Sequence, residues 1–302
     1  MKISMRNHYS AVLRVLKKYH LQPDAVYGHF LFQCGLTASR IGKKLHIPAY
    51  CACGENSTRL AKNSQPYHIG LRYGGWKKII NDLSGIISVS DYNRKLLIEN
   101  GFASSNMKIG VFPNGVDLTH FRKMDKTAAR KALQIPENKF IVVFNGAYSE
   151  RKGFQILCNA LNKCENVFSI FIGSDTIEPP CKNVLFSGKL KPEEVPQYLN
   201  CADAFVLPTI GEGCCNAIVE ALACGLPVIS SDLPFNDDIL DESDSIRVDP
   251  FDEDCIKDAI EQLQKDPDLR IKMSEQATNQ AKEFDIEKRA KLILRFMGIE
   301  ND

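Results

Sequence analysis

Two hydrophobic patterns recur along the chain: short continuous apolar runs, and stretches in which apolar residues return every three or four positions. The first marks strands buried on both faces, the second amphipathic helices. In residues 11–20, AVLRVLKKYH, Val12, Leu13, Val15 and Leu16 make an apolar stripe beside a basic face and predict a helix. Pro23 and Asp24 punctuate it, and AVYGHFLF follows as a buried strand. Residues 37–45 read as a second helix, AYCAC ending at Gly54 as a short strand, and SGIISVS as another. Ser90 is placed to cap a helix over 91–100, with Gly101 as its stop. Residues 108–112 are strand-like and run into Pro113-Asn114-Gly115.

After a charged connector over 122–138 the alternation restarts. Strands are predicted at 140–144, 167–172, 184–186, 204–207 and 228–230, and helices at 153–161, 192–200, 216–224, 256–264 and beyond Pro267. Strand–helix alternation with continuous apolar strands predicts parallel sheets covered on both faces. Two such runs predict two Rossmann-like α/β domains: residues 1–124, residues 125–285, and a C-terminal helix over 286–302 that crosses back to the first domain.

Composition changes this picture in two ways. The net charge of +1 conceals 18 Lys/Arg against 6 Asp/Glu in residues 1–124 and 20 against 31 in the remainder, which points to two domains with different partners. The eleven cysteines include no C-x-x-C pair, so zinc-ribbon and thioredoxin patterns are absent and reduced, mostly buried thiols are expected, with no metal site. No apolar run approaches the ~18 residues of a membrane span, and MKISMRNHYS lacks a secretory signal's apolar stretch. A cytoplasmic protein is expected.

The chemistry concentrates in PTIGEGCCNAIVEALACGLPVISS, residues 208–231. A strand end, a glycine-containing loop and a helix starting near Cys215 follow one another there. The helix N-terminus offers unpaired N–H groups and a positive dipole end, an anion site. Glu212 in the loop and Glu220 in the helix bring carboxylates to the same end of the sheet, suited to ribose or sugar hydroxyls. A phosphate site beside polyol acceptors points to a nucleotide sugar, although the spacing alone also describes one exposed and one capping Glu. In FNGAYSERKG, residues 144–153, Arg151 and Lys152 follow a strand's C-terminal end, where ligands bind in open α/β sheets.

The order of these segments resembles the retaining glycosyltransferases of family 4. SGIISVS with KIGVFPNGVDLTHF, then FNGAYSERKGFQIL, then EGCCNAIVEALACGLPVISSD match that family's motifs in sequence. The resemblance implies a GT-B fold, two Rossmann-like domains facing across a cleft. It implies a transferase moving a hexosyl group from a UDP- or GDP-sugar, with retention, to a saccharide or lipid-linked acceptor in polysaccharide or glycoconjugate synthesis. Carried over by position, Glu220 would hold the donor ribose and Glu212 would contact the transferred sugar. Arg151 and Lys152 would bind the diphosphate, joined by backbone N–H groups of Gly213, Cys214, Cys215 and Asn216. Gly146 and Gly173 would lie on the donor side, with Gly188, Lys189 and Leu190 along the nucleobase. His29, Glu55 and Ser90 would lie on the acceptor side. No cofactor or metal is implied beyond the nucleotide sugar.

The chain departs from the family in three places. Ala147 stands where many relatives carry a phosphate-binding Arg, and Cys53-Gly54-Glu55-Asn56 replaces a His-Gly strand end. Only about 22 residues precede PDAVYGHF, where relatives have a strand, a glycine-rich loop and further β/α units, so a shortened first domain is expected. That leaves a non-catalytic nucleotide-sugar binder and a GT-B sugar-nucleotide epimerase as alternatives. A dehydrogenase is disfavoured because no G-x-G-x-x-G follows a strand, and nucleic-acid binding because no module accompanies the basic half. LRYGGWKKII, residues 71–80, mixes cations and aromatics and suits a membrane-surface contact as well as a helix around a buried Trp.

Overall fold

The computed structural model describes residues 2–299 except 72–75, 77–79 and 175. The chain divides into two compact units. Unit 1 comprises residues up to Pro113, the loop Glu212–Cys214 and the segment from Ala290; unit 2 comprises Asn114–Gly211 and Cys215–Arg289. Residues 114–124, which the sequence reading put in the first domain, therefore join the second. Met124 N donates to Asn200 Oδ1 at 2.6 Å, and Val116 bridges Asp285, which fixes them there.

Unit 1 opens with α1 (Lys2–Lys18), then β1 (Val26–Gly28), a π-helical turn (Leu31–Gly35) and α2 (Leu36–Leu45). It continues through β2 (Ala49–Cys53), α3 (Gln65–Leu71), β3 (Gly85–Ser88), α4 (Asp91–Glu99) and β4 (Ile109–Val111). The four strands are parallel in the order β1-β2-β3-β4. Every residue of β2 and β3 is buried, as two-sided strands require. Ser90 caps α4 as its sequence predicts, its Oγ accepting from Asn93 N at 3.2 Å, and Gly101 follows at φ +74°. Trp76 is 3% exposed, stacks among Phe32 and Phe102, and donates Nε1 to Pro66 O at 2.9 Å. It serves the core of unit 1 rather than an interface. Arg72, Tyr73, Lys77, Lys78 and Ile79 of the same segment lie outside the described residues. No helix among the described residues is long and apolar enough to cross a membrane.

Unit 2 begins with α5 (Lys126–Ala132) inside the charged connector, followed by β5 (Phe140–Asn145), α6 (Phe154–Lys163), β6 (Val167–Ile172) and β7 (Val184–Gly188). Next come α7 (Val195–Asn200), β8 (Ala204–Leu207), α8 (Asn216–Ala223), β9 (Val228–Ser231) and β10 (Ser245–Val248). Then α9 (Glu253–Lys265) and α10 (Pro267–Ala281) follow. Its sheet is parallel throughout, in the order β10-β9-β8-β5-β6-β7. The order reverses between β5 and β8, and in a doubly wound sheet that crevice beyond the strand C-termini is where ligands bind. α11 (Ile286–Met297) starts in unit 2 and ends in unit 1. There Tyr50 Oη donates to Met297 O at 2.8 Å, Lys108 Nζ donates to Phe296 O at 2.6 Å, and the Phe296 ring packs on Tyr50 and Phe112.

Candidate active site

The switch point of unit 2 is built from the loops after β5 and β8, and backbone contacts lock them together. Ile210 N donates to Arg151 O at 2.8 Å, Thr209 Oγ1 donates to the same carbonyl at 3.0 Å, and Arg151 Nη1 donates to Gly211 O at 2.7 Å. Gly153, at φ +70°, lies against Pro208, whose carbonyl oxygen would sit 2.1 Å from an added Cβ. Only glycine permits that approach. The Arg151 guanidinium thus braces the β8 loop. Lys152 reaches the N-terminus of α8, its Nζ 3.8 Å from Cys215 Sγ, with its stem passing beside Gly146. A primary amine and a helix N-terminus together make a concentrated positive site for an anion. Asn216, the first residue of α8, accepts at Oδ1 from Asn114 Nδ2 at 2.7 Å.

Three glycines stand in a row at the ends of β5, β6 and β7. Gly146 N donates to Ile172 O, and Gly173 N donates to Gly188 O, both at 2.9 Å. A Cβ on Gly173 would fall 1.9 Å from Gly146 O. The rim is therefore bare backbone, which lets a ligand approach the sheet edge closely. Beside it lies a cavity of about 290 Å³ lined by Gly173, Lys189, Leu190, Phe121, Asn145 and Glu220, among others. The Glu220 carboxyl has no hydrogen-bond partner among the described residues, and burial pushes it up from 4.5 to about 7, with His120 opposing the rise. His120 in turn donates Nε2 to Pro192 O at 3.2 Å. A cavity that desolvates one acid beside a few polar groups is an arrangement found at functional sites.

The fold thus brings together Lys152, Cys215, Asn216, Gly146, Gly173, Gly188, Lys189, Leu190 and Glu220 in unit 2, with Arg151 as their brace. Glu212, Gly213 and Cys214 belong to unit 1. There Ser57 N donates to Glu212 O at 3.1 Å, and Gly213 lies where a Cβ would come within 2.6 Å of Glu55 O and 2.9 Å of Asn93 Nδ2. Asn93 Nδ2 also donates to Glu55 O at 2.9 Å, so the pair forms a platform for the loop. Of the expected acceptor-side residues, Ser90 is fully buried as the cap of α4, and Glu55 is 4% exposed. Glu55 Oε1 accepts from Leu31 N at 2.7 Å and Phe32 N at 3.1 Å, and burial raises its carboxyl above the usual range. His29 is exposed, near Tyr27 Oη and edge-on to Phe30.

Sequence reasoning missed Asn145, Phe121 and Asn93. Asn145 ends β5 and was findable as a polar residue closing an apolar strand. Phe121 reaches the cavity only because residues 114–124 fold onto unit 2, and no spacing announces that.

Two family models match the chain. One described as Glycosyl transferases group 1 covers residues 125–280, and one described as Glycosyltransferase Family 4 covers residues 3–120. The chain is similar to TuaC of Bacillus subtilis strain 168, named for teichuronic acid biosynthesis, with 28% identity over 233 residues, 74% of this chain and 57% of that one. It spans about half the length of the curated relatives it matches. Among solved structures, a sucrose-phosphate synthase from Thermosynechococcus elongatus superposes with TM-score 0.81 at 19% identity, over 96% of this chain and 76% of that one. Anabaena HepE, in complex with UDP and glucose, superposes with TM-score 0.77 at 20% identity, over 95% and 81%. These likenesses establish the fold as GT-B, the two-domain α/β class expected from the sequence.

Proposed function

Because the chain belongs to the Glycosyl transferases group 1 family, we propose that it transfers a hexosyl group from a UDP- or GDP-sugar to a saccharide or lipid-linked acceptor, with retention of configuration. The observation that carries this reading is the pairing, at one switch point, of a cationic helix N-terminus with an unpartnered, desolvated acid in a cavity. A diphosphate fits the first and vicinal ribose hydroxyls fit the second, because a carboxylate accepts two O–H donors at once.

In this reading Lys152 and the N–H groups opening α8 stabilise the charge that develops on the departing diphosphate. They are in place before reaction, since the loop is braced by Arg151. Glu220 holds the ribose, the bare glycine rim admits the pyrophosphate, and Lys189 and Leu190 flank the base. Glu212 contacts the transferred sugar and stabilises its oxocarbenium-like charge. The nucleotide sugar is a co-substrate, and no further cofactor or metal ion is required because Lys152 and the helix supply the neutralisation. The pathway is polysaccharide or glycoconjugate synthesis. Placement at the inner membrane face, through the basic first 124 residues, completes the proposal.

The test is transfer or hydrolysis of UDP- and GDP-sugars by the wild type, Glu220→Ala and Lys152→Ala. Both variants are expected to lose donor turnover while retaining the wild-type circular dichroism spectrum. Full activity in both would overturn the assignment.

A further inference from the structure

Outside the donor cavity, one pair of nucleophilic side chains is brought together from distant parts of the chain. Cys158 lies on the buried face of α6 and is fully buried. Cys181 lies in the connector between β6 and β7 and is half-buried. Asn162 stands one turn after Cys158 on the same face of α6. Its Nδ2 donates to Pro180 O at 2.9 Å, and its Oδ1 accepts from Lys182 N at 3.0 Å. The residues on either side of Cys181 are therefore clamped to the helix beside Cys158, and Cys181 N closes a turn onto Pro179 O at 2.8 Å. The two thiols act on each other, Cys158 pulling the Cys181 thiol down and being pushed up in turn.

We propose that Cys158 and Cys181 form a reversible intramolecular disulfide when the protein meets a hydroperoxide. The clamp holds Cys181 beside the turn of α6 that carries Cys158, so bridging joins two side chains without rearranging the helix. Cys181 reacts first, because it is the solvent-reachable member and the neighbouring Cys158 thiol holds it below the usual thiol range. Its sulfur attacks the peroxide, the O–O bond breaks, and a sulfenic acid and one water form. The Cys158 sulfur then attacks that sulfenic sulfur and expels a second water. Two thiols and one hydrogen peroxide thus give one disulfide and two waters, with two electrons passing from sulfur to peroxide. A dithiol reductant reverses the step.

Exposure alone ranks the cysteines differently. Cys255 is the exposed one, yet Asp252 accepts its S–H at 3.3 Å and pushes that thiol up. Cys51 and Cys53, neighbours on β2, are buried and held protonated by desolvation. The proposal stands independently of the transferase reading.

The test treats the full reduced chain with limiting hydrogen peroxide, blocks the remaining thiols, and maps peptides without reduction. The expected product joins the Cys158 and Cys181 peptides with the loss of two hydrogens, lowers the free thiols from eleven to nine, and reverts with dithiothreitol. In Cys158→Ser, dimedone is expected to trap a sulfenic acid on Cys181. Cys181→Ser, at the half-buried position, is expected to retain its fold and form no bridge. Modification of Cys255 before Cys181, a different disulfide partner, or survival of both thiols would overturn the proposal.

Discussion

Glu220 couples the stability of unit 2 to pH through one proton and, in the proposed function, to the nucleotide as well. In the unfolded chain its carboxyl titrates near 4.5, and in the folded protein burial moves it to about 7. The folded state keeps the proton to higher pH than the unfolded state. Stability is therefore full below pH 4.5 and falls as pH rises through 7. A rise from 4.5 to about 7 corresponds to roughly 3 kcal/mol at 1.36 kcal/mol per pH unit. Glu220→Gln keeps the shape and removes the charge. Urea unfolding of both proteins between pH 4.5 and 8.5 should show the variant gaining about 2–3 kcal/mol over the wild type as pH rises. Other groups titrate in both proteins and cancel in the difference. Nucleotide binding should run the opposite way, because ribose hydroxyls need the ionised carboxylate. Near pH 6 only about one carboxyl in ten is ionised, so calorimetry should find UDP or GDP bound roughly tenfold more weakly than above pH 8. Glu220→Gln should bind weakly at every pH, without the part of the pH slope that the carboxylate supplies. A stability difference that stays flat with pH, or a variant with wild-type affinity, would refute the reasoning.

Other sites give sharper structural tests. Lys152→Ala should lower the affinity for a nucleoside diphosphate by about tenfold or more while that for the bare nucleoside holds, since it removes one charge-assisted contact worth ~1.5–3 kcal/mol; calorimetry with both ligands separates the two. Arg130, 4% exposed, donates to Asp203, Cys201 O and Glu137 O. Arg130→Ala should cost about 1–3 kcal/mol by urea unfolding, because it takes the donor from the Cys201 and Glu137 carbonyls, while Asp203 keeps Lys126 Nζ at 2.7 Å and Ile141 N at 2.8 Å. Asn93→Ala removes the amide that holds Glu55 O beneath Gly213. It should reduce kcat more than donor affinity, whereas equal losses in both would argue for general destabilisation.

The elements were legible wherever local pattern decided them. The strand at Phe140–Asn145, the cap at Ser90 and the start of α8 followed from apolar runs and turn chemistry. α1 was found over its C-terminal half only, since residues 2–10 carry no clear apolar period. α5 was hidden within the charged connector, and β10 is a four-residue strand with an Arg in it. The strand ends and the helix N-terminus to which the resemblance assigns donor contacts were legible because those positions are topological. Glu55 was not legible as a buried group. An acid after a glycine reads as a surface loop, and its partners Leu31 N and Phe32 N lie 24 and 23 residues away. Only the sheet, by setting β1 beside β2, brings that turn to the carboxylate.

The seating of Phe296 and Met297 on unit 1 has a consequence for how the protein is made. Tyr50 and its partner Met297 are 247 residues apart. At a ribosomal pace of ~5–20 residues per second, Tyr50 waits roughly 12–50 s and Gly85 roughly 11–42 s for the ring that covers them. During that interval the glycine edges of β3 and β4, against which the Phe296 ring packs, stand open to solvent and to chaperones. The first unit to emerge is thus the last to be finished, and unit 2 completes its own sheet while unit 1 is still waiting. Slowing translation after residue 285 should lengthen the protease-sensitive life of unit 1 without touching unit 2.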